Sequence, residues 1–168
     1  KDYIAGNQRR NYKEQEMTKQ INLPQGKVAL VSDCDYEELN KHKWSALKGG
    51  ITFYASRKVF LSTVSMHRVI LNVPHGAQVD HKDGNGLNNT HSNLRIATCS
   101  QNQANSKRRV DNTSGFKGVD FSKKKWRANI RHNGKKIYLG SYGSAESTAR
   151  AYDKKAHELF GEYAKTNF

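Results

Sequence analysis

From Lys27 onward, short apolar runs alternate with polar turns, and the period of the apolar positions changes along the chain. KVALVS (27–32) reads as a short buried strand, and Asp33 can cap a helical turn through Asp35 to Asn40. TFYASRKV (52–59) alternates as a strand does, and SMHRVIL (65–71) reads as a short helix ending before Asn72, with Pro74 discouraging continuation. QVDH (78–81) and LRIA (94–97) are two further strands, separated by a loop that Gly84, Asn85 and Gly86 open. Thr98-Cys99-Ser100-Gln101 fits a capping box with Thr98 as N-cap, which places Asn102 in the first turn of a helix.

The last third has its own periodicity. WRANIRH puts Trp126, Ala128 and Ile130 on one strand face and Arg127, Asn129 and Arg131 on the other. After the Asn133-Gly134 hairpin signal, KKIYLG directs Ile137 and Leu139 inward and Lys136 and Tyr138 outward, while GVDFS adds Val119 and Phe121 to the inner face. From Ser144 as N-cap, Ala145, Ala149, Tyr152, Ala156, Leu159 and Phe160 recur at helical spacing until Gly161. The pattern predicts an α+β protein: a small N-terminal α+β region, a central strand-loop-strand-helix motif, and a three-stranded antiparallel sheet packed on one helix. The boundaries read as a flexible tail or expression remnant (1–20), an α+β region with its central motif (21–109, motif 78–106), a linker (110–114) and a C-terminal unit (115–168).

Composition narrows the partners. The 168 residues hold 29 Lys and Arg against 15 Asp and Glu, a net charge of +14 that attracts the phosphates of polyanions. The final 56 residues carry 12 of those basic groups and 5 acids, so they are the denser footprint. No run approaches the ~18 consecutive apolar residues of a membrane span, and no secretory signal is evident, so the expectation is a cytoplasmic protein. Two cysteines, Cys34 and Cys99, are too few for a disulfide scaffold.

VDHKDGN (79–85) admits two readings, an Asx-rich turn that contains a histidine or a reaction centre. The second gains weight from Asn93, twelve residues after His81, and from Asn102, twenty-one after it on a capped helix. Together the D-H, N-L-R and Q-N elements resemble the HNH nuclease family, whose ββα-metal motif has this layout, and its phage homing-endonuclease branch in particular. The resemblance implies that Asp80 is a metal ligand, His81 the general base, Asn93 the residue fixing loop and histidine geometry, and Asn102 the second ligand. The chemistry agrees. Phosphodiester hydrolysis needs a base near neutral pH, which histidine supplies, and Asp80 with the Asn102 carbonyl oxygen suits a hard divalent ion, Mg2+ or Mn2+. Asp83 could join the ion and His91 could replace a ligand, although both read more simply as loop surface. His67 reads as structural or phosphate-contacting.

SGFKGV, YLGSY, ARAYDKKA and LFGEYAKTNF in the C-terminal unit resemble the plant ethylene-response-factor (APETALA-type) DNA-binding domain, which inserts its sheet into the major groove. By position the resemblance implies that Lys117, Asn129, Arg131, Lys136 and Tyr138 contact DNA; Arg127 joins them from its place on the strand face. Asp120 and Ser122 stand where the plant family often has arginine, so its base preference does not transfer. Arginine reads guanine and asparagine reads adenine, which puts specificity in Arg127, Asn129 and Arg131.

The combined expectation is a site-preferring, homing-type DNA endonuclease acting on double-stranded DNA as a monomer or DNA-assembled dimer, with no membrane and no small-molecule substrate. A DNA-binding regulator with an inactive core and a non-specific or structure-selective nuclease are the alternatives.

Overall fold

The computed structural model describes residues 17–74 and 76–168; the tail expected over residues 1–16 lies outside them. Strand β1 (Thr18–Leu23) pairs antiparallel with β2 (Lys27–Ser32), Ile21 opposite Ala29. Residues 18–20, expected in the tail, therefore open the first strand. Only Ile21 and Leu23 of β1 point inward, so its exposed first half carries no apolar alternation to reveal it. Helix α1 (Asp33–Asn40) follows at once. Ser32 occupies the N-cap position, and Asp33 sits inside the first turn, where a carboxylate complements the helix dipole.

β3 (Ser45–Gly49), β4 (Thr52–Val59) and β5 (Ser62–Ser65) form an antiparallel meander that leads into α2 (Met66–Ile70). Ile21, Ala29, Val31, Leu39, Trp44 and Met66 fill the core between these layers. Trp44 is held by its indole Nε1, which donates to the Leu39 carbonyl at 2.8 Å.

β6 (Gln78–His81) and β8 (Leu94–Ala97) pair antiparallel, with Asp80 opposite Arg95 and His81 opposite Leu94. Between them the two-residue β7 (Asn88–Asn89) joins the first sheet in parallel, Asn89 opposite Val31, and the Leu30 amide donates to the Leu87 carbonyl at 2.9 Å. The loop is thereby anchored to the N-terminal region. α3 (Cys99–Asn105) carries the expected capping box: the Thr98 hydroxyl accepts from the Gln101 amide, and the Gln101 side chain accepts from the Thr98 amide.

β9 (Val119–Ser122), β10 (Lys125–His132) and β11 (Lys135–Tyr142) form a further antiparallel sheet with β10 central, and α4 (Ala145–Phe160) packs against it. Ala128 and Ile130 meet Tyr152, Ala156 and Phe160 in a second core, to which α3 contributes Ala104. Phe121 departs from its expected inward position. It is 57% exposed and packs against the Trp126 ring at a centroid separation of 4.7 Å. Thr148, absent from the apolar stripe of α4, is fully buried and satisfies its hydroxyl on the Ser144 carbonyl at 2.7 Å.

The segment from 110 to 114 does not leave the C-terminal unit detached. The Lys117 ammonium donates to the carbonyls of Ala104 and Ser106, the Asn133 amide donates to Ser100 Oγ at 3.1 Å, and the Lys165 amide donates to the Ala104 carbonyl at 3.1 Å. Among the described residues, no helix is long and apolar enough to cross a membrane.

Gly118 exposes the tightest backbone approach in this unit. Its φ of +75° suits glycine, and a Cβ there would lie 2.0 Å from the Tyr152 ring. Gly118→Ala should destabilise the protein by about 2–4 kcal/mol, the sum of overpacking and left-handed strain, measured by urea unfolding; an unchanged midpoint would contradict that packing.

Candidate active site and DNA-facing sheet

Strand alternation in β6 sends Asp80 and His81 to opposite faces, and the two meet different partners. Asp80 is 3% exposed. Its Oδ2 accepts from Arg95 Nε and Nη2, both at 2.7 Å, and its Oδ1 accepts from Asn105 Nδ2 at 2.8 Å. Arg95 reaches Asp80 directly across the strand pair and is itself nearly buried. A buried carboxylate of this kind is tolerable only because each oxygen is bonded.

Asn105 also donates to the carbonyls of His81 (2.8 Å) and Lys82 (3.3 Å), clamping the end of β6 to the last turn of α3. Sequence reasoning placed Asn102 beside Asp80. In the structure Asn105, one turn further on, holds that place, and Asn102 Nδ2 donates to Gln78 Oε1 at 3.0 Å.

His81 is 5% exposed. Its ring lies 5.7 Å from Tyr54 and 5.1 Å from His67, edge-on to the latter. Burial pushes its pKa below the ordinary histidine value, against the opposing pull of Asn89, Asp83 and Asp80, so the ring is held neutral near pH 7. Nε2 faces the carbonyl oxygen of the fully buried Asn89 at 3.4 Å, a contact that suits a protonated Nε2 and a proton-accepting Nδ1. Asn89 carried no sequence signal, since only its pairing with Val31 on β2 brings it to His81. His67 borders a cavity of about 470 Å³ lined also by Tyr54, Thr63, Arg68, Gln78 and Asn102.

Asn93 bonds to both sides of the loop. Its Nδ2 donates to the Asn88 carbonyl (2.7 Å) and Asp83 Oδ1 (3.0 Å), its Oδ1 accepts from the Asp83 amide, and its carbonyl accepts from the Lys82 amide. Asp83 is consumed inside the loop, where it also accepts from the Asn85 amide and Asn88 Nδ2, and His91 faces Asp35 at 2.9 Å. Neither stands beside Asp80 as a ligand.

On the outer face of the C-terminal sheet, Arg127, Asn129 and Arg131 share β10 as expected. Asp120 on β9 engages two of them: Arg127 through Nε and Nη2 at 2.7 Å, and Asn129 Nδ2 at 2.9 Å. Both members of the ion pair remain about two-fifths exposed. Arg131, Lys136 and Tyr138 are exposed, with the Tyr138 hydroxyl bonded to Ser141 Oγ at 2.7 Å. Lys117 is placed otherwise. Its ammonium is turned inward to the end of α3, and burial, reinforced by Lys165, lowers its pKa to about 8. It joins two units of the protein where sequence reasoning had a DNA contact.

An HNH endonuclease family model matches residues 72–104. An uncharacterized HNH endonuclease of Acanthamoeba polyphaga mimivirus is 34% identical over 149 residues, covering 84% of this chain and 75% of that protein. Protein 3.8 of Escherichia phage T7 is 38% identical over 95 residues, 55% of this chain and 78% of its own length. The chain is also similar to the ethylene-responsive transcription factor ERN3 of Medicago truncatula, 41% identical over 71 residues, 40% of this chain and 30% of that protein. No solved structure matches significantly.

His67 provides a test of the packed histidine pair. Burial, assisted by His81 and Arg68, lowers its pKa to about 4, so between about 6.5 and 4 the unfolded chain binds the proton first and stability falls with pH. The loss through that window should reach about 2–3 kcal/mol, and His67→Phe should remove it. Urea unfolding at pH 7 and pH 4.5 measures both; equal acid losses in wild type and variant would refute the buried, neutral His67.

Proposed function

This chain belongs to the HNH endonuclease family, and from that premise we propose that it is a site-preferring, homing-type DNA endonuclease with His81 as general base. The observation that carries the reading is the placement of the buried His81 ring at the end of β6, with Nε2 facing Asn89 and the following loop bonded by Asn93. With Nε2 directed to Asn89, Nδ1 takes the proton of the attacking water. The water oxygen bonds to phosphorus as the bond to the 3′ oxygen breaks, and that oxygen takes up a proton. The ends are then 3′-hydroxyl and 5′-phosphate.

HNH endonucleases are generally dependent on a divalent metal ion, and the donor set here fits a hard one. An ionised carboxylate has about four acceptor positions, of which Asp80 uses three, and Asn102 offers a carbonyl oxygen. By the family resemblance Asp80 and Asn102 would hold Mg2+ or Mn2+, and because Asp80 is bonded here to Arg95 and Asn105 and Asn102 to Gln78, Asn102 would have to turn from Gln78 to share the ion. Bound there, the ion supplies positive charge where the leaving oxygen becomes negative. Asn105 and Arg95 act on this chain alone, keeping the Asp80 carboxylate in one orientation.

The C-terminal sheet is the reader in this proposal. Arg127, Asn129 and Arg131 address bases, and Lys136 and Tyr138 address the backbone. Residues 21–109 form the nuclease region and 115–168 the reader, with Lys117 bracing one on the other. The double-stranded DNA substrate follows from this arrangement and from the net charge of +14. A DNA-binding regulator with an inactive core is the competing reading. It is favoured by one observation, that Arg95 and Asn105 already engage both oxygens of Asp80.

Supercoiled plasmid incubated with the protein and Mg2+ or Mn2+ decides between them, because a nuclease relaxes or linearises the plasmid and a regulator leaves it supercoiled. His81→Ala should reduce the rate at least ~10²-fold, the typical contribution of a positioned base, while plasmid binding persists; full activity would sink the general-base role. Arg131→Ala should change which sites are cut. A uniform loss across sequences, with a shallower salt dependence, would make Arg131 a phosphate contact.

A further inference from the structure

Phe60 and Leu61 form the two-residue loop between β4 and β5, bracketed by the Val59–Ser62 pair, and each is 99% exposed. Two-residue hairpin loops demand positive φ at the first central residue and are normally filled by Gly, Asn or Asp. Phe60 adopts φ +53°. Among the described non-glycine residues with positive φ, the others are Gln, Lys and Asn, so Phe60 is the one apolar side chain held in this conformation. The loop thus departs from ordinary turn chemistry twice, in backbone conformation and in exposed apolar surface. Both departures fall on the residues best able to enter a stack of bases.

The location gives the loop its occupant. Thr63, two residues beyond Leu61, lines the cavity that His67, Arg68 and Asn102 share, so the tip projects about 7 Å past that wall. Lys58, paired with Thr63, is exposed beside it. Two side chains at a tip are too little surface for a stable interface with a second copy, which needs on the order of 1,000 Å². Phe and Leu are, however, the size and chemistry of side chains that wedge between base pairs.

We propose that Phe60 and Leu61 are an apolar wedge that enters a base step of duplex DNA beside the cavity that His67, Arg68 and Asn102 line, unstacking and bending the duplex there. This rests on the reading of the chain as a DNA-acting nuclease. The unstacked step opens the groove at the cavity and seats the backbone against its wall. Phosphate contacts elsewhere supply most of the affinity, so the wedge governs distortion more than binding.

The test needs no cleavage. A relaxed plasmid is incubated with the full-length protein and a chelator, treated with a metal-independent topoisomerase, deproteinised, and resolved into topoisomers. Wild type should shift the distribution toward lower linking number. Phe60→Asn/Leu61→Ser should leave it at the protein-free position, while plasmid affinity by mobility shift stays within about threefold. The thermal midpoint of the variant should not fall, since Asn suits the left-handed turn. Phe60→Asn alone should reduce the topoisomer shift and provides the same comparison if the double variant fails to fold. Equal shifts in wild type and variant, no shift in wild type, or a wild-type oligomer that the variant reduces to a monomer would each overturn the wedge. Cutting of plasmid in a separate metal-containing reaction reports on the nuclease reading independently.

Discussion

Arg95 is the residue on which the geometry of the protein turns. Its Nε and Nη2 fix Asp80 from the facing strand, its Nη1 reaches the Glu162 carbonyl at 2.9 Å, and the Tyr163 ring lies 3.9 Å from its guanidinium carbon. One side chain therefore sets the rotamer of the candidate ligand and ties β6 and β8 to the turn that follows α4. A guanidinium is suited to this because its donors form a rigid planar fork. The pair is also unforgiving. Stripping one partner from a buried ion pair leaves the other charge without compensation, at a cost of about 3–5 kcal/mol.

Asp120 repeats the device of Asp80 in a different environment. Asp80 binds an arginine and an asparagine in the interior; Asp120 binds Arg127 and Asn129 on an open sheet face. In the first place the carboxylate is locked. In the second the ion pair is exposed and contributes roughly 0–1 kcal/mol, so in the proposed function a DNA contact would draw Arg127 and Asn129 away at small cost. The same three residue types thus form a locked cluster in the interior and an open one on the sheet face.

Local signals in the sequence located most elements. The Thr98 capping box, the Asn133-Gly134 turn, the alternation of WRANIRH and the stop at Gly161 depend on neighbours within a few residues, and all are present. What escaped was decided over longer range. β1 is an edge strand with two inward residues, and β7 is two residues long, too short for any period. Asn89 and Asn105 become site residues only when β2 and α3 close on the loop, and a choice between Asn102 and Asn105 turns on where α3 lies over β6. Lys117, a DNA contact by the resemblance, is bonded here to the open carbonyls at the end of α3, which compete with a phosphate for it. Contacts of Arg95, Tyr163 and Lys117 likewise tie the C-terminal unit to the central motif, and no local signal announces them.

In the proposed function one buried, braced centre cuts DNA at positions chosen by the attached sheet. Sequencing both ends of every fragment produced from a randomised duplex library tests it most directly. The account predicts 3′-hydroxyl and 5′-phosphate ends at a fixed offset from a recurring sequence, and that recurrence should vanish when Arg127, Asn129 and Arg131 are replaced together. Ends scattered without sequence preference, or a library left intact in the presence of Mg2+ and Mn2+, would contradict it.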